Sequence, residues 1–190
     1  MENNKISVVV PMYFEESVVD ECYKRIKNTL QDLENYDYEI IFVNDGSQDR
    51  TLEKLFNIAN KDKNAKIISF SRNFGHQAAV TAGLKFVTGD VCVIIDADMQ
   101  DPPELIKEML KLWEDGNEVI YAKRKTRQGE SKFKLLSAKM FYNTLNALSD
   151  VEIPKDTGDF RLCDRKVINT INKMPEHNKF LRGLFSWVRI

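Results

Sequence analysis

Cysteine is scarce in this sequence, and its few cysteines are not arranged for metal binding or for disulfide bonds. Cys22, Cys92 and Cys163 lie far apart and form no CxxC pair. The sequence therefore indicates neither a zinc site nor a disulfide framework, and it fits a reduced compartment.

The sequence also lacks an excess of charge of either sign and has no long hydrophobic segment. Its 190 residues carry a formal net charge of -1, with 43% hydrophobic and 30% charged residues. This composition is typical of a globular domain and gives no indication of nucleic-acid binding. The apolar run in MENNKISVVVP is too short for a signal peptide or a membrane span. We therefore expect one domain with a buried core that is not secreted.

No GxGxxG motif follows the first predicted strand, which argues against a dinucleotide-binding dehydrogenase. Short β-branched runs instead alternate with longer amphipathic stretches, and no internal repeat is found. This alternation predicts βαβ units around a mostly parallel, buried sheet. Strands are predicted at residues 6–10, 38–43, 66–70, 91–95 and 119–122.

The predicted helices lie between these strands. The first is predicted over residues 15–33, and a second begins near Asp49, a suitable N-cap. A third covers residues 76–87, and a fourth begins at Pro102 and ends near Gly116. The polar and basic segment KRKTRQGESK follows Ala122 and is predicted to be a mobile loop.

Acidic residues directly after strands are the first candidates for a site, because ligands of open parallel sheets bind beyond the carboxyl ends of the strands. Glu15 and Asp45 follow the first two strands, and Asp96 and Asp98 follow the fourth. Carboxylates at the end of a buried strand need a partner, and Mg²⁺ or Mn²⁺ is suited to oxygen ligands. Taken alone, the DAD segment fits a metal site and, equally well, an arrangement without metal in which Asp96 is exposed and Asp98 caps the following turn.

Five segments, in their order and spacing, resemble the family 2 glycosyltransferases. The resemblance is closest to the polyprenyl-phosphate branch, which includes dolichyl-phosphate mannose synthases and bacterial undecaprenyl-phosphate glucosyltransferases. It implies an α/β fold with a single GT-A type nucleotide-sugar-binding domain, whose mostly parallel central sheet is flanked by helices. The segments are ISVVVPMYFEE, IIFVNDGSQDRT, SFSRNFGHQAAVTAGL, VIIDADMQDPPE and TGDFRLCDRKV.

The resemblance also implies which residues bind the nucleotide sugar and the metal. Asp98 is expected to be the more direct metal ligand, while Asp96 is also a metal ligand and lies nearer the ribose. A basic residue after the fifth strand is expected to neutralise phosphate, although a basic run there is also typical of a solvated loop. The expected nucleotide-sugar-binding residues are Pro11, Tyr13, Glu15, Asp45, Asp96, Gln100, Lys123 and Arg124.

For the acceptor, the resemblance implies roles for Asp159 and Arg161 in the TGDFRL segment. Asp159 is the candidate base, and Arg161 is the candidate for binding the acceptor phosphate. A phosphate monoester is already mostly ionised at neutral pH, however, so it hardly needs a base. Asp159 has three alternative roles: positioning the acceptor, ordering Arg161 or helping to hold the metal. His76 beside Gly75 is interpreted as a cap or surface residue and is left outside the candidate site.

The reaction implied by the resemblance is an inverting displacement that moves a hexose from a nucleotide sugar to a polyprenyl phosphate, with Asp98, Asp159 and Arg161 as the catalytic residues. UDP-glucose is the first choice of donor, with UDP-N-acetylglucosamine and GDP-mannose as alternatives. One competing hypothesis is a glycosyltransferase that acts on a sugar hydroxyl, for which a general base is required. Another is a nucleotide-binding module without catalysis, against which the intact DAD segment argues.

The last residues, FLRGLFSWVRI, form an apolar face with basic flanks, as in a helix at a membrane interface. A terminal helix docked on the domain or an oligomer contact is the alternative. The sequence is accordingly divided into a catalytic domain, 1–178, and an amphipathic juxtamembrane segment, 179–190, that relatives continue into transmembrane helices. The resemblance thus implies a membrane surface as a partner, at the cytoplasmic side of the cell membrane, and a homo-oligomer as one possibility.

Overall fold

A mixed sheet lies at the centre of the fold. The computed structural model describes residues 3–123, 157–176 and 179–188. Within these ranges six strands form one sheet in the order β3-β2-β1-β4-β6-β5. The strands are β1 Asn4–Met12, β2 Tyr36–Asn44, β3 Ala65–Ser69, β4 Val91–Ile94, β5 Val119–Lys123 and β6 Thr157–Asp164.

Helices cover both faces of this sheet. A short 3-10 helix, Pro103–Leu105, precedes the fourth α-helix. The helices of the described segments are α1 Val19–Gln31, α2 Thr51–Ala59, α3 His76–Phe86, α4 Ile106–Glu114, α5 Arg165–Lys173 and α6 Leu181–Trp187.

The sheet has the mostly parallel arrangement that the sequence predicts. β1 pairs in parallel with β2 and β4, and β2 pairs in parallel with β3. β6 is antiparallel to both β4 and β5, so β5 runs in the same direction as β1 to β4. The strands predicted from the sequence are confirmed, but β6 was not predicted to be a strand.

Two apolar clusters hold the helices on the sheet. Val8 and Val10 point into one cluster, with α1 and α4, and Val9 points into the other, with α3, α5 and α6. All three valines are fully buried. A strand buried on both faces reads as a continuous hydrophobic run, as expected for the parallel centre of an α/β sheet.

Gly83 allows α3 to lie close against β1. A Cβ atom at this position would come within 2.4 Å of Val9 Cγ1 and 3.2 Å of Val43 Cγ2. Only a residue without a side chain fits such an approach. The amino end of α3, beginning at His76, is thereby held near the ends of the first two strands.

A buried carboxylate links several strands at the edge opposite the carboxyl ends of β1 and β2. Glu39 in β2 is 1% exposed and accepts hydrogen bonds from Ser7 Oγ at 2.5 Å, from Lys66 Nζ at 2.5 Å and from the amide and hydroxyl of Thr88 at 2.7 and 2.8 Å. Burial alone would raise the pKa of Glu39, but these hydrogen bonds outweigh it and lower the pKa to about 2.

Two details differ from the sequence-based expectations. α1 begins at Val19 and ends at Gln31, so Glu15 belongs to the loop after β1 and not to the helix. The carbonyl of Glu15 accepts hydrogen bonds from the amides of Val18 and Val19, and α1 begins directly after this turn. The predicted mobile loop after Ala122 lies outside the described residues, apart from Lys123 at the end of β5.

The helix α6 is packed on the domain by one face and exposed on the other. Leu181 and Phe185 are 3% and 2% exposed, whereas Trp187 is 62% exposed. No helix in the described part of the chain combines the length and the apolar character needed to cross a membrane. The boundary at residue 178 stays a prediction.

Candidate active site

A cleft of about 290 Å³ opens where β1, β2 and β4 end. The parallel direction of these strands brings the loops after them to one edge of the sheet. Asn73 and His76, from the loop after β3 and the start of α3, also line it. Six of the residues expected in the site line this cleft: Pro11, Tyr13, Glu15, Asp45, Asp96 and Asp98.

Asp45 is almost fully buried, and its carboxylate orders the loop that precedes α3. It accepts hydrogen bonds from the amide of Phe74 at 2.7 Å, from the amide of Gly75 at 2.9 Å and from Asn73 Nδ2 at 3.0 Å. Gly75 has a φ of 94°, which favours glycine. Asp45 therefore helps to determine where α3 begins, and with it the position of His76.

Asp96 and Asp98 flank a buried alanine at the end of β4. Ala97 is 2% exposed, whereas the side chain of Asp96 is partly exposed and Asp98 is exposed to the cleft. Asp98 Oδ1 accepts a hydrogen bond from the amide of Gln100 at 3.0 Å. Asp98 thus caps the following turn and lines the cleft at the same time, so the two readings of the DAD segment are compatible.

The acidic side chains of the cleft are close enough to affect one another. The pKa of Glu15 is raised, first by burial and then by the negative charges of Asp98, Asp49 and Asp96. Each additional carboxylate disfavours the charged form of its neighbour. A cation bound here would relieve this repulsion.

His76, which the sequence analysis left outside the site, lies in the cleft. Its Nε2 is 2.8 Å from Asp96 Oδ1, and its Nδ1 is 4.0 Å from Asp159 Oδ2. The hydrogen bond with Asp96 is the main reason that the pKa of His76 is raised, with a further contribution from Asp159. The only feature of the sequence that could have indicated this location is the place of His76 at the first position of a helix that follows a sheet strand.

Asp159 reaches the same edge of the sheet because β6 runs antiparallel to β4. Ile94 pairs with Arg161, so the residues before Arg161 extend past the end of β4. The carboxylate of Asp159 accepts two hydrogen bonds from Arg182, from Nε to Oδ1 and from Nη2 to Oδ2, both at 2.9 Å. Burial opposes ionisation of Asp159, but Arg182 and then Arg161 lower its pKa.

Arg161 is buried beneath this edge. Its side chain is 2% exposed, and its guanidinium lies 4.8 Å from the ring centre of Phe185 and 5.4 Å from that of Tyr121. Its Nη2 donates to Asp159 Oδ1 at 3.1 Å and to the carbonyl of Gly158 at 3.3 Å. The structure therefore places Arg161 behind Asp159, while Arg182 is the more exposed arginine beside it.

The residues at this edge fit a divalent cation. His76, Asp96 and Asp159 can each offer a ligand atom, and these atoms lie within 4.8 Å of one another. Asp98 lines the same cleft but is not a member of that group. Carboxylate oxygens suit Mg²⁺ and Mn²⁺. The group thus contains Asp96, one of the two expected ligands, with His76 and Asp159 as further candidates, and the role of Asp98 as a ligand stays a prediction.

The remaining expected residues are separate from the cleft or outside the described ranges. Gln100 is exposed and is not among the described residues that line the cleft. Lys123 ends β5, and its backbone pairs with Thr157 at the same edge of the sheet. The side chain of Lys123 and the whole of Arg124 lie outside what the structure describes.

Comparison with known proteins identifies relatives for nearly the whole chain. The sequence profile described as Glycosyl transferase family 2 matches residues 7–171. The uncharacterized glycosyltransferase YkcC of Bacillus subtilis is 53% identical, over 96% of this chain and 56% of its own length. The bactoprenol glucosyl transferase of Shigella phage SfX is 40% identical, over 97% of this chain and 60% of its own length. This chain therefore spans little more than half of these relatives.

Solved structures share the fold. The mannosyltransferase PcManGT from Pyrobaculum calidifontis, in complex with GDP-Man and Mn²⁺, has a TM-score of 0.65 and 20% sequence identity. The match covers 91% of this chain and 48% of the PcManGT chain. The GT-A fold expected from the sequence is thereby confirmed.

Proposed function

Because this chain belongs to glycosyltransferase family 2, we propose that it transfers a hexose from a nucleotide sugar to a polyprenyl phosphate. The main support from the structure is that an acidic cleft, with Asp96 and Asp98, meets an arginine pair around Asp159 at one edge of the sheet. The acidic cleft suits a metal-bound nucleotide, and the arginine pair suits an anionic acceptor. The relative named for bactoprenol favours a polyprenyl phosphate.

In this proposal, the loops after β1 and β2 bind the nucleotide. Tyr13 is 46% exposed and offers an aromatic surface beside Pro11, while Glu15 offers a carboxylate at the same rim. Asp45 acts mainly by holding the loop before α3 in place. Asp96 and Asp98 would hold Mn²⁺ or Mg²⁺, which supplies a Lewis acid that stabilises the leaving diphosphate.

At the acceptor side, an oxygen of the lipid phosphate attacks the anomeric carbon. The bond between this carbon and the nucleoside diphosphate breaks, and the diphosphate leaves with the electron pair, so that the configuration is inverted. The attacking phosphate is already ionised at neutral pH. Asp159, with both carboxylate oxygens bonded to Arg182, is better suited to positioning than to removing a proton.

The pairing of Asp159 with Arg182 also favours a phosphate acceptor over a sugar hydroxyl. A hydroxyl nucleophile requires a general base with a pKa near the working pH, whereas the pKa of Asp159 is lowered by its arginine partners, although burial opposes this. UDP-glucose is the proposed donor, and UDP-N-acetylglucosamine and GDP-mannose are the alternatives.

We also propose that the protein works at the cytoplasmic side of the cell membrane, where the lipid acceptor and soluble nucleotide sugars meet. Phe180, directly before α6, and Trp187, at its last position, are 42% and 62% exposed and could enter a membrane interface. Binding to vesicles with and without anionic lipid tests this part of the proposal.

The reaction is tested with UDP-glucose, UDP-N-acetylglucosamine, UDP-galactose and GDP-mannose, each with Mn²⁺ or Mg²⁺ and with undecaprenyl phosphate. We expect metal-dependent transfer of one sugar to the lipid and loss of this transfer in Asp98→Ala. Asp32→Ala serves as the control, because Asp32 is an exposed residue that pairs with Lys107 away from the cleft. Transfer to free sugars but not to the lipid would refute the proposed acceptor, and nucleotide binding without any transfer would support a non-catalytic module.

A further inference from the structure

We propose that Arg182, at the start of α6, binds the phosphate of the acceptor, and that Asp159 holds this arginine in position. This inference rests on the proposed function and names the residue that recognises its acceptor. The family resemblance implies this role for Arg161, whereas Arg182 belongs to the basic flanks of the segment FLRGLFSWVRI. The structure separates the two arginines by their exposure.

Arg161 is poorly placed to receive a ligand from solvent. Its side chain is 2% exposed, and its guanidinium lies next to the aromatic rings of Tyr121 and Phe185. Its Nε and Nη2 donate to the backbone and carboxylate of Asp159 and to the carbonyl of Gly158. Arg161 therefore supports Asp159 from below.

Arg182 presents its guanidinium at the surface of the same corner. Its side chain is 32% exposed, and its two hydrogen bonds to Asp159 use Nε and Nη2. A guanidinium carries five N–H donors in a rigid, planar arrangement, which matches the geometry of a phosphate. Arg182 also lies near the cleft, because Oδ2 of its partner Asp159 is 4.0 Å from Nδ1 of His76.

The charges at this corner favour an anion. The carboxylate of Asp159 lies between the guanidinium groups of Arg161 and Arg182. Arg161 Nη1 is buried, and the structure shows no hydrogen-bond acceptor for it in the described part of the chain. On the other side of His76, Glu15, Asp96 and Asp98 make the cleft negative. The metal of the donor complex would thus face carboxylates, and the anionic acceptor would face the side of the two guanidinium groups.

The position of Arg182 depends on packing that a change of its side chain leaves in place. Leu181 and Phe185, on either side of it, are buried in the core, and the amide of Leu181 donates to Gln77 Oε1 at 3.1 Å. The segment is therefore anchored independently of the Asp159 pair. Arg182 can be replaced without removing these contacts.

Arg25 provides a matched control. It has nearly the same exposure, 31%, and its guanidinium also forms hydrogen bonds to both oxygens of a carboxylate, that of Glu104. This pair joins α1 to the short helix before α4, away from Asp159. Loss of a salt bridge by itself should therefore have a similar structural effect in a variant of Arg25 and in a variant of Arg182.

The experiment uses the 190-residue chain with Mn²⁺ and UDP, and it measures the binding of farnesyl phosphate, a short prenyl phosphate, with farnesol as the uncharged comparison. We expect Arg182→Gln to weaken the binding of farnesyl phosphate by about 10- to 100-fold, as for lost charged hydrogen bonds. Arg182→Lys should have an intermediate effect, because lysine keeps the charge but not the planar donor arrangement. Arg25→Gln should leave this binding unchanged, and all variants should keep their affinity for UDP.

Equal binding of farnesyl phosphate to the unchanged protein and to Arg182→Gln would overturn the role of Arg182 while leaving the proposed function intact. An equal loss in Arg25→Gln, or a parallel loss of UDP affinity, would show a structural effect and would also overturn it. No difference between farnesyl phosphate and farnesol in the unchanged protein would instead contradict a phosphate acceptor, and with it the proposed function.

Discussion

The buried carboxylate of Glu39 should make folding stability depend on pH, and the replacement Glu39→Gln should remove much of this dependence. Glu39 joins β2 to its neighbours through Ser7, Lys66 and Thr88. Glutamine keeps the shape of the side chain but not its charge. The loss is therefore mainly that of charge-assisted hydrogen bonds to a buried group.

The magnitude follows from the pKa of Glu39, which is about 2 in the folded protein against an ordinary value of 4.5. This difference corresponds to roughly 3 kcal/mol of folding stability. Because the folded-state pKa is lowered, the contribution is fully present at neutral pH. It declines as the pH falls below about 4.5 and is lost near about pH 2, where the folded state also takes up the proton.

Urea unfolding followed by far-UV circular dichroism measures this effect at about pH 7 and at about pH 3. We expect Glu39→Gln to lower the free energy of unfolding by about 3 kcal/mol near neutral pH and by clearly less at the acidic value. The other carboxylates titrate alike in both proteins, so the difference between the two curves isolates Glu39.

Glu53→Gln is the appropriate control, since Glu53 forms an exposed pair with Arg50 within one turn of α2. Such pairs contribute little because solvent screens them. A stability difference for Glu39→Gln that stays constant between the two pH values would refute the reasoning, because it would show that shape and not charge determines the loss.

Two further substitutions test the positions of α3 and of the loop before it. Gly83→Ala should lower the free energy of unfolding by about 1–3 kcal/mol, because its Cβ would lie 2.4 Å from Val9 Cγ1; an unchanged melting temperature would contradict the close contact. Asp45→Asn should replace a carboxylate that accepts three hydrogen bonds with an amide, which is a poorer acceptor for Asn73 and Gly75. We expect faster amide exchange across residues 73–76 and about tenfold weaker binding of UDP, and unchanged exchange would show that Asp45 does not order this loop.

Much of the fold could be predicted because hydrophobic periodicity is a local property. β-branched runs such as that of Val8 to Val10 are buried on both sheet faces, so they mark the strands directly. β6 was not predicted because glycine and aspartate, which are unfavourable in strands, occur in TGDFRLCD, and its antiparallel pairing is decided by contacts with β4 and β5. The start of α1 was placed early for a related reason, since the polar loop containing Glu15 continues the helical composition.

The sequence by itself determined the alternating α/β order, the family motifs and the placement of Asp45, Asp96 and Asp98 after strands, because these depend on neighbouring residues and on strand direction. Only the tertiary structure decided which of the distant side chains meet. The antiparallel β6 brings Asp159 toward His76, and the packing of α6 brings Arg182 to Asp159 while burying Arg161. Burial and contacts between residues 20 or more positions apart, such as 159 and 182, leave no periodic signal in the chain, so the exposed arginine could be identified only once the helices were packed on the sheet.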